Sequence, residues 1–223
     1  MVVIAKEVLQ YEKDCIKYYI NIPKLYYNEK NILKNEMIEN INQLILEDIL
    51  TFMDVVEDSY NLLNEQCIFT NSITEFQVGY ISRDIISLCI EFSQLSGFSD
   101  ISYVKGYNYD FKLQKEIILK DLFKKDVDYI SILKKYILME INNFWIYMDV
   151  YEDDIINNLK TDDIMLDEDN TFYFDSEYLI IPFSSCEIDE EILNLIEFKI
   201  SFNKIYPYLN EYAIKNIVKK IVL

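Results

Sequence analysis

The sequence predicts an α+β protein built from two abutting halves, residues 1–114 and 115–223, each an antiparallel sheet packed by at least one long amphipathic helix. Three observations carry this. Several runs alternate apolar and polar residues with the period of a half-buried strand. Two longer stretches, near Leu33–Leu63 and Asp128–Met148, repeat apolar residues every three or four positions. Only 3 Gly and 3 Pro occur in 223 residues, which leaves little material for long irregular loops.

The elements follow in chain order. Ile4–Glu12 and Ile16–Ile22 read as a hairpin across Lys13-Asp14, with Pro23 ending or bending the second strand. Ile38, Ile41, Ile45, Ile49, Phe52 and Val56 form one stripe of a long helix whose solvated side includes Glu39, Glu47, Asp48, Glu57 and Asp58. Thr74–Tyr80 and Ile86–Phe92 alternate on either side of Ser82-Arg83-Asp84, a turn signal. Ile101–Tyr109 alternates again, completing a meander expected to have one buried and one exposed face. Gly106–Phe123 reads as a strand, a turn over Lys112–Glu116 and a helix start at Leu119–Phe123.

In the second half Asp126 or Asp128 can cap a helix whose buried face is Ile130, Leu133, Ile137, Ile141, Phe144 and Met148. Trp145 flanks that stripe and reads as core rather than as a stacking platform. A short helix is expected at Asp153–Leu159, and a strand pair at Thr171–Asp175 and Tyr178–Phe183 across Asp175-Ser176-Glu177. A last strand spans Glu197–Lys204, and a short helix covers Tyr212–Leu223 with Lys215, Lys219 and Lys220 near its C-terminal end.

Charge narrows the partners. A net charge of −18 gives no basic footprint for displacing phosphate counterions, so nucleic acid is excluded, and an anionic membrane surface repels the chain. A cationic partner is attracted, although solubility alone also accounts for the acidity. No run of about 18 apolar residues predicts membrane insertion. The start, Met1–Ala5 followed by Lys6, Glu7 and Glu12, is too short and too charged for a signal-peptide core, so these residues read as cytoplasmic. Cys15, Cys67, Cys89 and Cys186 are widely spaced with no C-x-x-C pair and read as reduced thiols.

Catalytic chemistry finds few candidates. With no His there is no Ser-His-Asp or Cys-His site, no His-ligated zinc and no imidazole general base. No phosphate-cradling Gly motif occurs, and no cofactor or metal is expected. Glu152-Asp153-Asp154, Asp167-Glu168-Asp169 and Asp189-Glu190-Glu191 match calcium ligands in composition only, because the D-x-D-x-D-G pattern is missing. The chain reads as a non-enzyme. A carboxylate-dependent hydrolase stays open, since such sites are defined by separation in space.

Glu7–Tyr27 (EVLQYEKDCIKYYINIPKLYY) and the following Glu39–Ile49 (ENINQLILEDI) resemble the PdaC-type domain, with its strand ending in Ile-Pro and its Asn-bearing helix. Ile118–Phe123, Tyr129-Ile130, Phe172-Tyr173, Leu179–Phe183 and Glu187-Ile188 resemble the RsiV-like C-terminal domain. The resemblance implies an extracytoplasmic sensor or wall-associated binding module, for a basic lysozyme-like protein or a cell-wall-derived ligand. It points to two loops that align with the family's turns: Ser96, Gly97, Phe98, Ser99 and Asp100; and Ser184, Ser185, Cys186, Glu187 and Asp189. Plain connection is the competing reading of both loops. A cytoplasmic interaction protein that kept the fold without the ligand is the competing reading of the chain.

Overall fold

The computed structural model describes residues 2–27, 32–62, 68–96, 100–148, 161, 164–184 and 195–218. Strands β1 (Val2–Lys13) and β2 (Ile16–Tyr27) form the expected hairpin, and Asp14 takes a φ of 55° in its turn, a conformation Asp tolerates. Helix α1 (Ile32–Leu62) then crosses over to β3 (Thr70–Ile81), followed by β4 (Ile85–Leu95), β5 (Ile101–Asp110) and the two-residue β6 (Lys115–Glu116). These strands make one six-stranded sheet in sequential order. All its pairings are antiparallel except β2–β3, which run parallel over Ile16–Ile20 and Thr70–Thr74. The crossover helix imposes that exception, because a strand–helix–strand connection returns the chain in the same direction.

The second half begins with a 3-10 turn, Leu119–Leu122, where the sequence suggested the start of a longer helix. Helix α2 (Tyr129–Met148) follows, capped by Asp128, whose carboxylate accepts from the Ser131 amide at 3.1 Å and the Ser131 hydroxyl at 2.7 Å. A three-stranded antiparallel sheet comprises β7 (Tyr173–Phe174), β8 (Tyr178–Phe183) and β9 (Ile196–Ser201). The strand predicted to continue to Lys204 ends at Ser201, whose hydroxyl accepts from the Asn203 amide and opens α3 (Phe202–Ile205). Helix α4 (Glu211–Asn216) starts at Asn210, which caps the Ala213 amide and also donates to the Asp121 and Phe123 carbonyls. The side chains of Phe144, Trp145 and Met148, and the helix expected at Asp153–Leu159, lie outside the described residues.

Two apolar clusters hold the layers. Ile38, Ile41, Ile45, Ile49, Phe52 and Val56 of α1 meet Ile86, Leu88, Ile90 and Phe92 of β4. Leu133, Ile137 and Ile141 of α2 meet Leu179, Ile181 and Phe183 of β8. The expectation of an exposed second face fails for β4: Ile85, Ser87 and Cys89 are buried as well as the α1-facing residues. The smaller sheet covers them. Cys89 and Val104 pack with Tyr173 and Ile180, and a Cβ added at Gly79 or Gly106 would overlap the carbonyl of Phe174 or Phe172.

This close approach is sealed by hydrogen bonds. Ser87 donates to Asn108 Oδ1 at 2.6 Å and accepts from the Phe174 amide at 2.8 Å. Asn108 Nδ2 donates to the Phe172 carbonyl at 2.8 Å, and the Gly106 amide donates to Thr171 Oγ1 at 2.6 Å. Backbone groups of Phe172 and Phe174 thus bond to the large sheet from the edge of β7 that faces away from β8, and β7 itself, Tyr173–Phe174, is shorter than the predicted Thr171–Asp175 strand.

Pro23 neither ends nor bends β2 out of the sheet; it pairs with Lys6 in a strand that runs on to Tyr27. The ladder needs no N–H there. The neighbouring Asn21 and Leu25 amides point away from β1, toward Thr74 Oγ1 at 3.0 Å and Asn42 Oδ1 at 2.8 Å. The same hydroxyl donates to the Asn21 carbonyl, and Asn42 Nδ2 donates to the Leu25 carbonyl. Beyond Ile20, where β3 diverges, two side chains therefore replace a neighbouring strand.

The cysteines are not all reduced. Cys15 is disulfide-bonded, whereas Cys89 is a buried free thiol. Cys15 follows directly on the hairpin turn, and wide sequence spacing places no limit on which thiols meet in space. Its partner lies outside the described residues.

Two measurements test this construction. Gly106→Ala should lose about 3 kcal/mol by chemical denaturation, the upper end of the usual overpacking cost, because the new methyl meets backbone that cannot rotate away. Thiol titration of the unreduced, denatured chain should find two free thiols, rising to all four on reduction.

Candidate functional site

Of the ten loop residues singled out from sequence, the structure describes Ser96, Asp100 and Ser184. Gly97, Phe98, Ser99, Ser185, Cys186, Glu187 and Asp189 lie outside the described residues. The Ser96 amide donates to Asp100 Oδ1 at 2.8 Å, so the first loop is pinned at its base by its own carboxylate. Ser184 directly follows β8, whose last pair is Phe183 with Ile196.

A cleft that sequence reasoning did not find is lined by none of these three residues. Its volume is 530 Å³, and its walls are Glu75, Phe76, Gln77, Cys89, Glu91, Val104, Leu195 and Glu197. Strand pairing explains the composition. The tight β3–β4 connection sets Glu75 directly opposite Glu91, and β4–β5 pairing sets Glu91 opposite Val104. One rung further toward the first loop, Ser93 and Ser102 share a hydrogen bond of 2.9 Å. From the smaller sheet, Leu195 and Glu197 close the opposite wall, and the chain between Ser184 and Leu195 carries the second predicted loop.

The cleft is electrostatically one-sided. Among the described residues three carboxylates line it and no Lys or Arg does. Glu75 and Glu91 form a cross-strand like-charge pair, an arrangement that costs stability in a sheet. Glu197 accepts from the Tyr173 hydroxyl at 2.7 Å, and Glu91 accepts from Ser93 Oγ at 3.0 Å. Burial, followed by interactions with Cys89 and Glu197, pushes the Tyr173 phenol far above its ordinary range. Burial, reinforced by the Glu197 charge, pushes the Cys89 thiol up to about 12. That thiol is protonated at neutral pH, so it is neither a nucleophile nor a thiolate ligand. Among the described residues no group of three or more His, Cys, Asp or Glu is arranged to hold a metal ion.

A second groove of 450 Å³ lies along β5, lined in part by Lys105, Glu116, Glu168, Asp169 and Asn170. Glu116 is exposed along its side chain, yet protein atoms crowd its carboxyl and raise its pKa, opposed by the Lys105 ammonium. Lys105 is itself engaged, at 2.7 Å from Asp48, which also accepts from the Tyr107 hydroxyl at 2.8 Å. No helix among the described residues is long and apolar enough to cross a membrane.

Two solved structures share the fold along nearly the whole chain. A DUF3298 family member from Bacteroides fragilis superposes with a TM-score of 0.63 at 12% identity, covering 98% of this chain and 97% of its own. A DUF3298 family protein from Pseudomonas aeruginosa superposes with a TM-score of 0.62 at 9% identity, covering 99% and 97%. The chain has the DUF3298 fold. No family model matches its sequence, and no curated protein matches it either. At such identities the likeness concerns the fold, and it extends through both halves.

Within this DUF3298 fold Cys89 is the natural reporter of the cleft wall. Iodoacetamide at pH 8 should leave it unmodified in the native chain and alkylate it on unfolding, read by peptide mass spectrometry.

Proposed function

We propose that this protein is a non-catalytic, extracytoplasmic binding module of the RsiV-like, PdaC-type kind, and that its ligand is a cationic protein, with a basic lysozyme the leading candidate. The observation that carries the reading is the cleft lined by Glu75, Glu91 and Glu197, with no Lys or Arg among the described residues of its walls. A Lys or Arg side chain entering it would relieve the Glu75–Glu91 repulsion and convert a stability cost into binding energy. The net charge of −18 raises the encounter rate with a basic partner in a salt-dependent way. The disulfide at Cys15 supports an oxidising compartment, since such bonds are rare in the cytosol.

A carboxylate-dependent hydrolase is the second reading. Glu116, with its raised pKa and with Glu168 and Asp169 in the same groove, is the feature that favours it. The groove also holds the Lys105 ammonium, which favours the ionised form of Glu116 over the proton donor such chemistry needs. The binding reading is therefore preferred.

Isothermal calorimetry with basic lysozymes of several classes, at low and at physiological salt, tests the proposal. Saturable binding should persist at physiological salt, and Glu91→Gln with Glu197→Gln should weaken it at least about tenfold, the loss of one or two charge-assisted contacts. Absence of heat at both salts, or binding confined to low salt, would count against a specific site.

A further inference from the structure

Strand β1 ends the large sheet, and its outer edge carries no partner strand among the described residues. Residues Ala5–Lys13 are exposed along their whole length, with Val8 at 62% and Leu9 at 43% of full exposure. A long edge with apolar side chains and no proline is the feature soluble proteins ordinarily avoid, because it templates another strand. We infer that this edge is a self-association surface, on which β1 of a second copy of this chain pairs antiparallel about a two-fold axis through Leu9.

The backbone direction fixes which registers are open. The Asn21 and Leu25 amides point away from β1, so their β1 partners Val8 and Ile4 point their own N–H groups outward. By alternation Lys6, Gln10 and Glu12 do the same. An antiparallel copy must therefore hydrogen-bond even residues to even residues. Two-fold symmetry makes the pairing reciprocal, so each contact away from the axis occurs twice.

The charges choose among these registers and point to a second copy in particular. On β1 Glu7 is engaged by Lys24 at 2.7 Å and Lys13 by Glu57 at 2.6 Å. Lys6 and Glu12 form no ion pair among the described residues. In the register centred on Leu9, Lys6 lies opposite Glu12 of the second copy, and Glu12 opposite its Lys6. Val8 faces Gln10, and the two Leu9 side chains meet at the axis. The strand is thus complementary to itself, and the two unpaired charges complete one another. Moving the axis by one residue to Val8 or Gln10 breaks both of these Lys6–Glu12 pairs.

Sedimentation equilibrium of the full chain at physiological salt, where the Debye length of about 8 Å screens whole-molecule repulsion, is the test. The wild-type chain should dimerise reversibly. Val8→Pro removes an outward N–H and no β1–β2 bond, so it should abolish the dimer while the circular dichroism spectrum stays native. Lys6→Glu or Glu12→Lys alone should raise the dissociation constant by about tenfold through doubled like-charge contacts. The double variant K6E/E12K should restore it. Mixing the two single variants should give heterodimers in preference to either homodimer, read by native mass spectrometry. The charge series decides the matter should Val8→Pro not fold. A monomer at every concentration, or a dimer indifferent to these substitutions, would overturn the proposal.

Discussion

The contact on which the architecture turns is the seam between the large sheet and residues 171–174. Gly79 and Gly106 leave gaps where backbone lies against backbone, and Ser87 and Asn108 meet the amide of Phe174 and the carbonyl of Phe172. Each of these polar groups is buried, so losing its partner costs about 1–3 kcal/mol. The seam is polar where a sheet-on-sheet contact is usually apolar, and that fixes one docking position. The apolar neighbours Cys89, Val104, Tyr173 and Ile180 supply burial, but they would tolerate sliding; the hydrogen bonds do not.

The acidic cleft is a by-product of the same docking. The smaller sheet covers the rungs at Ser87 and Cys89 but leaves the Glu75–Glu91 rung uncovered between the two sheets. Glu197 arrives on β9, anchored by the Tyr173 hydroxyl from the strand that makes the seam. The seam and the cleft are therefore coupled through one side chain. The hairpin end of the molecule works differently: there β2 is held by Thr74 and Asn42, and the exposed edge is left to β1.

Much of the fold was legible because burial has a period. The α1 stripe, every strand of the meander and the Asp128 cap are where alternation and end chemistry put them. The parallel β2–β3 pair was readable in principle, since a strand, a long helix and a strand in succession demand a crossover. The second buried face was not, because Ser87, Asn108 and Gly106 look like solvent-facing residues until a distant backbone meets them. The cleft carboxylates shared that obscurity. Glu75 and Glu91 are two among 39 acidic residues, and only the register across Ser82-Arg83-Asp84 singles them out. Cys15 was misread because a disulfide leaves no spacing signature in a chain with so few cysteines.

The seam also has a temporal side. Ser87 finds its partner 87 residues later, at Phe174, and Asn108 finds Phe172 after 64. During synthesis the meander is therefore made before the residues that cover its second face. The polar and small residues of that face suit the wait. Ser87, Gly106 and Asn108 give that face less apolar surface than a row of valines would, so the residues that lock the finished protein are also the ones that leave the uncovered sheet less adhesive.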